Sequence, residues 1–515
     1  MTPKKILTLS LLFLFVNSFS QPNIAWTKCY GGSSAEQFSQ IVLSKTNDIY
    51  FVGSTDSNDG NVSGNHGYSD VWVGKITNTG ILQWQKCLGG SSYDDGNAID
   101  ICSDGSIVVA GQTMSNDGDV NDHIASYDFW VVKLDSLGVI QWKKCYGGYS
   151  ADIAYSIKQT NDRGYIVGGC TSSNEFNVSG NHGGDDCWIV KLDSIGNIEW
   201  QKCFGGSLRD WANDICQVND GYIILSFSMS NDGNVTGNLG DYDYWFVKIN
   251  FNGDIMWQKS YGGSNLDQGD EIIATTDNGC VAVGRTFSND GNVTNNTGDY
   301  DYWVVRLDSL GNLEWQKCFG YAPGNYNDHA HSIYPSKDGW FLIAGISSAF
   351  YGSKTCFDYW DLLVLKINPS GSLLWKQCLG GTDGDFGYSI IQDSSGNVFV
   401  AGKTESNNGN ISGNYGWYDS WLVKIEDPIV NVISVSKQFI HLYPNPADNK
   451  VTIEINNPEL KPNNLKIYNS LGVEVKFLTI INENKLIIDT QEFKPGLYIY
   501  SLNGIDILKG VFLVK

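Results

Sequence analysis

The stretch Trp26-Thr27-Lys28-Cys29-Tyr30-Gly31-Gly32 decides the fold of this chain. The frame Trp-x-Lys/Gln-Cys-x-Gly-Gly returns at Trp84, Trp142, Trp200, Trp257, Trp315 and Trp375, at spacings of 58, 58, 58, 57, 58 and 60 residues. A period this long and this constant marks an array of equal supersecondary units.

Residues 142–200 show one unit. Asp152–Ile157 alternates small or polar with apolar and reads as a strand. Asn161–Gly164 is a turn, Tyr165–Gly169 a second strand, and Ser172–Asp185 a long polar loop. Cys187–Leu192 is a third strand. Asp193–Gly196 turns tightly into a fourth, Asn197–Cys203, which ends at Gly205-Gly206. Four short strands per unit, seven units and no helical periodicity predict an all-β, seven-bladed β-propeller over 21–425. The last unit stops after its third strand, Trp421–Ile425, and the first opens with a lone fourth strand, Asn23–Cys29. The N-terminal strand is therefore expected to complete the last blade and close the ring, leaving no exposed edge.

The third-to-fourth turn, Asp135–Gly138 followed by Trp142, resembles the docking motif of quinoprotein-type propellers and recurs at Asp193-Gly196-Trp200 and Asp308-Gly311-Trp315. Asn78, Asn250 and Asn368 are read as replacing the Asp elsewhere. The resemblance implies a structural role, with the Trp capping one blade against the next.

The chain has 515 residues, 58 Gly, 17 Trp and a formal charge of −22. Residues 1–20 read as a signal peptide: Lys4 and Lys5 lead, Ile6–Val16 is an apolar core too short to span a bilayer, and Ser18 and Ser20 suit cleavage before Gln21. Losing those two lysines takes the charge from −22 to −24. Such a balance disfavours nucleic acid, which needs clustered cations, and favours solubility and cation binding. No other segment is apolar enough to be transmembrane. Six of twelve cysteines (Cys29, Cys87, Cys145, Cys203, Cys318, Cys378) share one repeat position, which Ser260 fills in the fifth unit. Equivalent positions of neighbouring blades lie beyond the ~7 Å Cα limit for a bridge, so these read as buried thiols. Cys170 and Cys187, on adjacent strands of one hairpin, are the candidate disulfide.

Residues 426–437 break the period and read as a linker; 438–515 differ in composition. Leu442-Tyr443-Pro444-Asn445-Pro446-Ala447, Lys466–Gly472, Pro495–Tyr500 and Lys509–Lys515 resemble, in order, the type A C-terminal sorting domain of the Bacteroidetes type IX secretion system. Alternation in Lys450–Ile455 and Gly496–Leu502 predicts a small β-sandwich. The sorting residues by resemblance are Pro444, Asn445, Pro446, Gly472, Gly496, Tyr498 and Lys515. The resemblance implies a partner, the secretion machinery. It also implies passage across the outer membrane, removal of this domain, and release or attachment to surface lipopolysaccharide.

Three features of the propeller are candidate sites. The fourth-to-first links place a carboxylate at the start of each inner strand: Glu36, Asp95 (one place off), Asp152, Asp210, Asp267, Asp328 and Asp385. These would ring the channel mouth and recruit a hard cation such as Ca²⁺, or each would cap its own Gly-rich turn. The second-to-third loops, as in Ser57–Asn65, read as turns with local Asx hydrogen bonds. Before the third strand stand Tyr127, Tyr242, Tyr300, Trp360 and Tyr418, each followed by Asp. Flat rings beside carboxylates suit glycan stacking, or they pack over blade edges. Blade six breaks the symmetry with a longer leading loop, 321–327, a changed loop at 349–354, and His329 and His331 on one side of its inner strand. That histidine pair would need a third metal ligand, for which Asp328 is the nearest candidate.

No Ser-His-Asp, nucleophile-elbow or zinc-protease pattern stands out. Three functions remain open: a surface or released binding module for glycan or envelope components, a polysaccharide hydrolase using two carboxylates such as Asp328 and Asp385, and a structural matrix protein.

Overall fold

The computed structural model describes residues 22–320, 327–348 and 360–427. In the C-terminal unit it describes 440–443, 447, 449–455, 464–469, 474–479, 485–503 and 507–514. Residues 1–20, expected to be a signal peptide, most of the linker and most of the two unusual loops of blade six lie outside the described residues. The chain divides into two compact units, Met1–Asp427 and Pro428–Lys515.

The first unit is the seven-bladed propeller. Blade one runs from its inner strand Glu36–Leu43 through Ile49–Thr55 and Asp70–Ile76 to the outer strand Leu82–Leu88, and five further blades repeat that antiparallel meander. The seventh sheet takes Asp385–Gln392, Asn397–Thr404 and Asp419–Glu426 from the end of the region and Asn23–Tyr30 from its beginning. Its outer pair runs from Asn23 opposite Glu426 to Tyr30 opposite Ser420, so the predicted closure holds. Second and third strands are buried on both faces and form the cores between blades. A fully buried Trp repeats there: Trp72, Trp130, Trp188, Trp245, Trp303 and Trp421.

The docking reading also holds. A Cβ on Gly138 would lie 2.9 Å from the Trp84 ring, and one on Gly196 would lie 2.9 Å from Trp142. Trp84, Trp142, Trp200, Trp257 and Trp315 thus lie against the turn glycine of the following blade, whereas the first such turn, at Gly80, is met by Lys28 rather than Trp26. Trp200 Nε1 donates to the Phe251 carbonyl at 3.1 Å, and Trp257 Nε1 to that of Ser309 at 3.2 Å. In blade one the Asp position belongs to Thr77 rather than Asn78, because the Ile81 amide donates to Thr77 Oγ1 at 3.0 Å.

Two cysteine readings are corrected. Cys170 and Cys187 lie directly opposite in register, yet both are free thiols. They turn to different partners: Cys187 Sγ lies 3.0 Å from Ser226 Oγ, while Cys170 faces the Tyr155 hydroxyl. Of the six repeated cysteines, Cys378 is disulfide-bonded; the other five are free, and burial pushes the Cys29 and Cys87 thiols up to about 12.

The C-terminal unit holds two sheets, one of three strands (Ile440–Tyr443, Lys450–Ile455, Lys485–Asp489) and one of four (Asn464–Asn469, Glu474–Thr479, Gly496–Asn503, Ile507–Val514). Val451, Ile453, Leu465, Ile467, Ile488 and Tyr500 form its core. It is the expected small sandwich.

Candidate functional site

Every inner strand repeats one pattern. Its first residue is a fully buried carboxylate; its second and fourth residues are half-exposed and face the channel. The fourth residue is skipped in the pairing register in all seven blades: Ser39, Asn97, Tyr155, Asn213, Asp270, His331 and Tyr388 each sit on a β-bulge. A bulge bends the strand and re-aims a side chain. Here it turns one residue per blade into the channel.

The buried carboxylates are Glu36, Asp94, Asp152, Asp210, Asp267, Asp328 and Asp385. In blade two the register belongs to Asp94, not Asp95. Asp95 is half-exposed and accepts from Ser69 Oγ and Gln112 Nε2, both at 3.1 Å. The expected ring at the channel mouth is therefore not an open one. Asp152 accepts from the Gly148 amide at 2.8 Å, from Ser173 Oγ at 3.0 Å and from Thr171 Oγ1. Asp210 and Asp385 repeat that set. These carboxylates tie the Gly-Gly link to the end of the second strand, which is the capping role. Their oxygens are filled by N–H and O–H donors, so they do not present the free oxygen set that Ca²⁺ requires. Burial pushes Asp152 and Asp385 up to about 6.

A second buried carboxylate opens each third strand: Asp70, Asp128, Asp186, Asp243, Asp301, Asp361 and Asp419; five of them are the Asp residues read from the sequence as following an aromatic, and their burial was not read there. It converges on the same glycine as the first. At Gly147 a Cβ would meet both Asp128 Oδ1 and Asp152 Oδ2. Burial pushes Asp128 and Asp419 up to about 6 and Asp243 to about 7.

The five predicted aromatics are half-buried. Their backbones join blades: the Asp152 amide donates to the Tyr127 carbonyl at 2.7 Å and the Asp385 amide to that of Trp360 at 2.6 Å. Their rings pack on neighbours. Tyr242 lies 5.2 Å from Phe227, Tyr300 has the Arg285 guanidinium over it at 4.9 Å, and Tyr418 has Lys403 at 4.2 Å. The more exposed aromatics are others on these loops and on the fourth-to-first links beside them: Tyr68 stacked on Tyr93 at 5.0 Å, Tyr149 against Phe176, and Trp417, 84 % exposed.

The channel holds a cavity of about 470 Å³, and every blade contributes to its wall. Gln37 and Ser39 come from blade one, Asn97 from two, Tyr155 from three, Trp211 and Asn213 from four, Gln268 and Asp270 from five, His331 from six and Tyr388 from seven. Tyr155 and Trp211 stack with centroids 6.1 Å apart. Asn97 Nδ2 and Asn213 Nδ2 donate to the carbonyls of Ala154 and Gly269 in the following blades, at 2.9 and 2.8 Å.

One side of this wall departs most from the repeat. Asp270 Oδ2 lies 2.9 Å from His329 Nε2 and 2.8 Å from His331 Nδ1, and the two imidazole centroids are 4.1 Å apart. The carboxylate facing the histidines is thus Asp270 of blade five rather than Asp328, which begins the strand on its buried side. Burial, with help from His331 and Arg285, pushes His329 down to about 4, whereas the two histidines hold Asp270 far below the usual carboxylate range. The sequence signal for Asp270 was its place in the repeat: it is the fourth residue of its inner strand, as His331 is of the next.

Comparison with known proteins adds the following. Residues 441–508 match the family described as the secretion system C-terminal sorting domain. The C-terminal unit is a type IX sorting domain. Residues 374–410 match the β-propeller repeat family. The chain is 28 % identical over 353 residues to the regulatory protein FlaEY of Caulobacter vibrioides, and that alignment takes in 62 % of this chain but about a third (37 %) of the relative's length. Among solved structures it is similar to a protein of unknown function from Dyadobacter fermentans, at 11 % identity and a TM-score of 0.41. That match covers 79 % of this chain and 99 % of the other. It is also similar to BamB from Moraxella catarrhalis, at 11 % identity and a TM-score of 0.37 over 79 % of this chain and all (100 %) of that one.

Of the sorting residues, Gly496 and Tyr498 are described. Gly496 opens a central strand of the four-stranded sheet, paired with Val514. Tyr498 is buried, stacks on Phe493 at 4.8 Å and donates its hydroxyl to the Lys494 carbonyl at 2.8 Å. Pro444, Asn445, Pro446, Gly472 and Lys515 lie outside the described residues. The sorting domain assigns the chain to export, to the cell surface or beyond. Among the described residues no helix is long and apolar enough to cross a membrane.

Proposed function

We propose that this exported propeller is a binding module that holds an extracellular glycan, or a glycan-bearing envelope component, in its central channel without cleaving it. One observation carries the reading: Tyr155, Trp211 and Tyr388 share a single cavity with the amides of Gln37, Asn97, Asn213 and Gln268. Aromatic faces stack on the apolar face of a pyranose, and amides pair with its hydroxyls in both donor and acceptor senses. A volume of about 470 Å³ falls in the ordinary range of small-ligand sites.

A hydrolase would need two carboxylates facing one another across the ligand. Asp328 and Asp385, the pair considered for that role, are fully buried at the heads of their strands. The test is a glycan-array screen of the full chain, followed by product analysis of each hit. Binding without shortened product, lost in Trp211→Ala and Tyr388→Ala, is the expected result. Shortened product would make the chain an enzyme, and binding that survives both substitutions would move the site out of the channel.

A further inference from the structure

We propose that Asp270, His329 and His331 form a binding site for a divalent transition metal of the zinc class, with an open coordination position facing the channel. The proposal is independent of the glycan reading. The donor set comes first. Two imidazole nitrogens and one carboxylate oxygen suit borderline ions, and sites with three protein ligands leave a fourth position for water or an incoming group.

Geometry comes second. The three donor atoms lie within 4.8 Å of one another. Bonds of about 2.0 Å in a tetrahedron set ligand atoms roughly 3.3 Å apart. The observed separations of 2.9 and 2.8 Å need to open by only a few tenths of an ångström.

Satisfaction comes third. One carboxylate oxygen serves both rings, while Asp270 Oδ1 and His329 Nε2 are buried without a well-aligned hydrogen bond. Buried polar atoms left so are rare in native proteins and ask for a partner. A cation bound between the three residues would satisfy His329 Nε2, and Asp270 Oδ1 with it when both carboxylate oxygens bind.

Positioning comes last. Asp270 and His331 are bulge residues of adjacent inner strands, and His329 is paired in register with Ile346. The ligands therefore project from strands held by their ladders rather than from loops. The fold does not require histidine here, since the equivalent positions of blades three and seven hold Ile153, Tyr155, Phe386 and Tyr388.

The rival explanation is a hydrogen-bonded triad that joins blade five to blade six. To separate the two, the full chain is stripped with chelator, dialysed against Zn²⁺ and assayed for bound metal, with titration calorimetry for affinity. One Zn²⁺ per chain is expected. Asp270→Asn and His331→Gln should each weaken binding by about 100-fold or more, since even outer-shell changes cost 10–100-fold. A His66→Gln/His182→Gln variant, which removes two half-exposed histidines elsewhere, should bind as the parent does. Co²⁺ should give the parent chain a visible absorption that chelator reverses. That readout stands even if an Asp270 variant fails to fold. Absence of stoichiometric metal and of the Co²⁺ spectrum, or affinity unchanged by His331→Gln, would leave the triad as a hydrogen-bonded joint and overturn the proposal.

Discussion

Thr27 Oγ1 donates to the carbonyl of Asn410 at 2.6 Å, across 383 residues of chain. It does so because Asn23–Tyr30 is the outer strand of a blade whose other three strands come from the far end of the propeller. The ring is closed by strand pairing and by the packing of Ile24, Trp26 and Cys29, and the latch is one strand. Deleting 21–30 would expose the full edge of Asp419–Glu426, a template for pairing with other chains. The expected outcome is a lower thermal midpoint and concentration-dependent association in light scattering. A monomer of unchanged stability would mean the latch is dispensable.

Stability should rise, not fall, on mild acidification. Burial pushes Asp128, Asp152, Asp385 and Asp419 up to about 6 and Asp243 and Glu271 to about 7. An unfolded carboxyl titrates near 4, so between about pH 4 and 7 the folded chain holds more protons than the unfolded one. Stability then falls as pH rises through that window. Each such group contributes about 1 kcal/mol between pH 7.5 and 5.5. His329, pushed down to about 4, acts in the opposite sense below about pH 6.5, as one group against six. The urea midpoint at pH 5.5 should exceed that at pH 7.5 by a few tenths molar or more.

The same buried charge can be removed without losing its hydrogen bond. Asp243 Oδ2 accepts from the Leu239 amide at 2.7 Å, and an asparagine oxygen keeps that role. Asp243→Asn should stabilise the folded chain by about 1 kcal/mol or more at pH 7.5, and by clearly less at pH 5, where the folded carboxyl is already protonated. Equal destabilisation at both values would show that the cost of this carboxylate lies in packing rather than in charge.

The fold was legible because its determinants are local and repeated. A period near 58 residues, a turn glycine before six of the seven outer Trp residues and an incomplete unit at either end fix blade number, strand order and closure together. The site was legible only in part. Register slipped by one at Asp95, because consecutive Asp94 and Asp95 both fit a carboxylate frame, and only packing tells which is buried. Asp270 stayed hidden because it faces His331 from the neighbouring inner strand, about one repeat away in sequence, and bulges leave no mark in a pattern of alternation. The aromatics before the third strands were correctly placed on one loop set. Their exposure depended on neighbours such as Phe227 and Arg285 that the pattern does not name.

Blade docking can be measured with two glycines. Gly196 has φ +79, and an added Cβ would meet Trp142 at 2.9 Å; Gly105 has φ +86 with nothing within 4 Å. Both substitutions to Ala carry the strain of a left-handed backbone, about 1–3 kcal/mol. Only Gly196→Ala also displaces a docked Trp, adding about 1–3 kcal/mol of overpacking. Denaturant midpoints should therefore separate the two variants, with Gly196→Ala the less stable. Equal losses would mean the Trp moves aside freely and docking contributes little.

The sorting domain makes the last prediction. Residues up to Asp427 and from Pro428 form separate compact units, each with its own core. Removing 438–515 should therefore leave the propeller folded while depriving it of the domain that the secretion machinery reads. In a strain carrying that machinery the truncated chain should accumulate in the periplasm, resist limited proteolysis as the full chain does, and be absent from the cell surface and medium. A protease-sensitive product would mean that the propeller needs the C-terminal unit to fold. Normal export of a folded, truncated chain would mean that the signal lies elsewhere in the sequence, and the sorting assignment would fall.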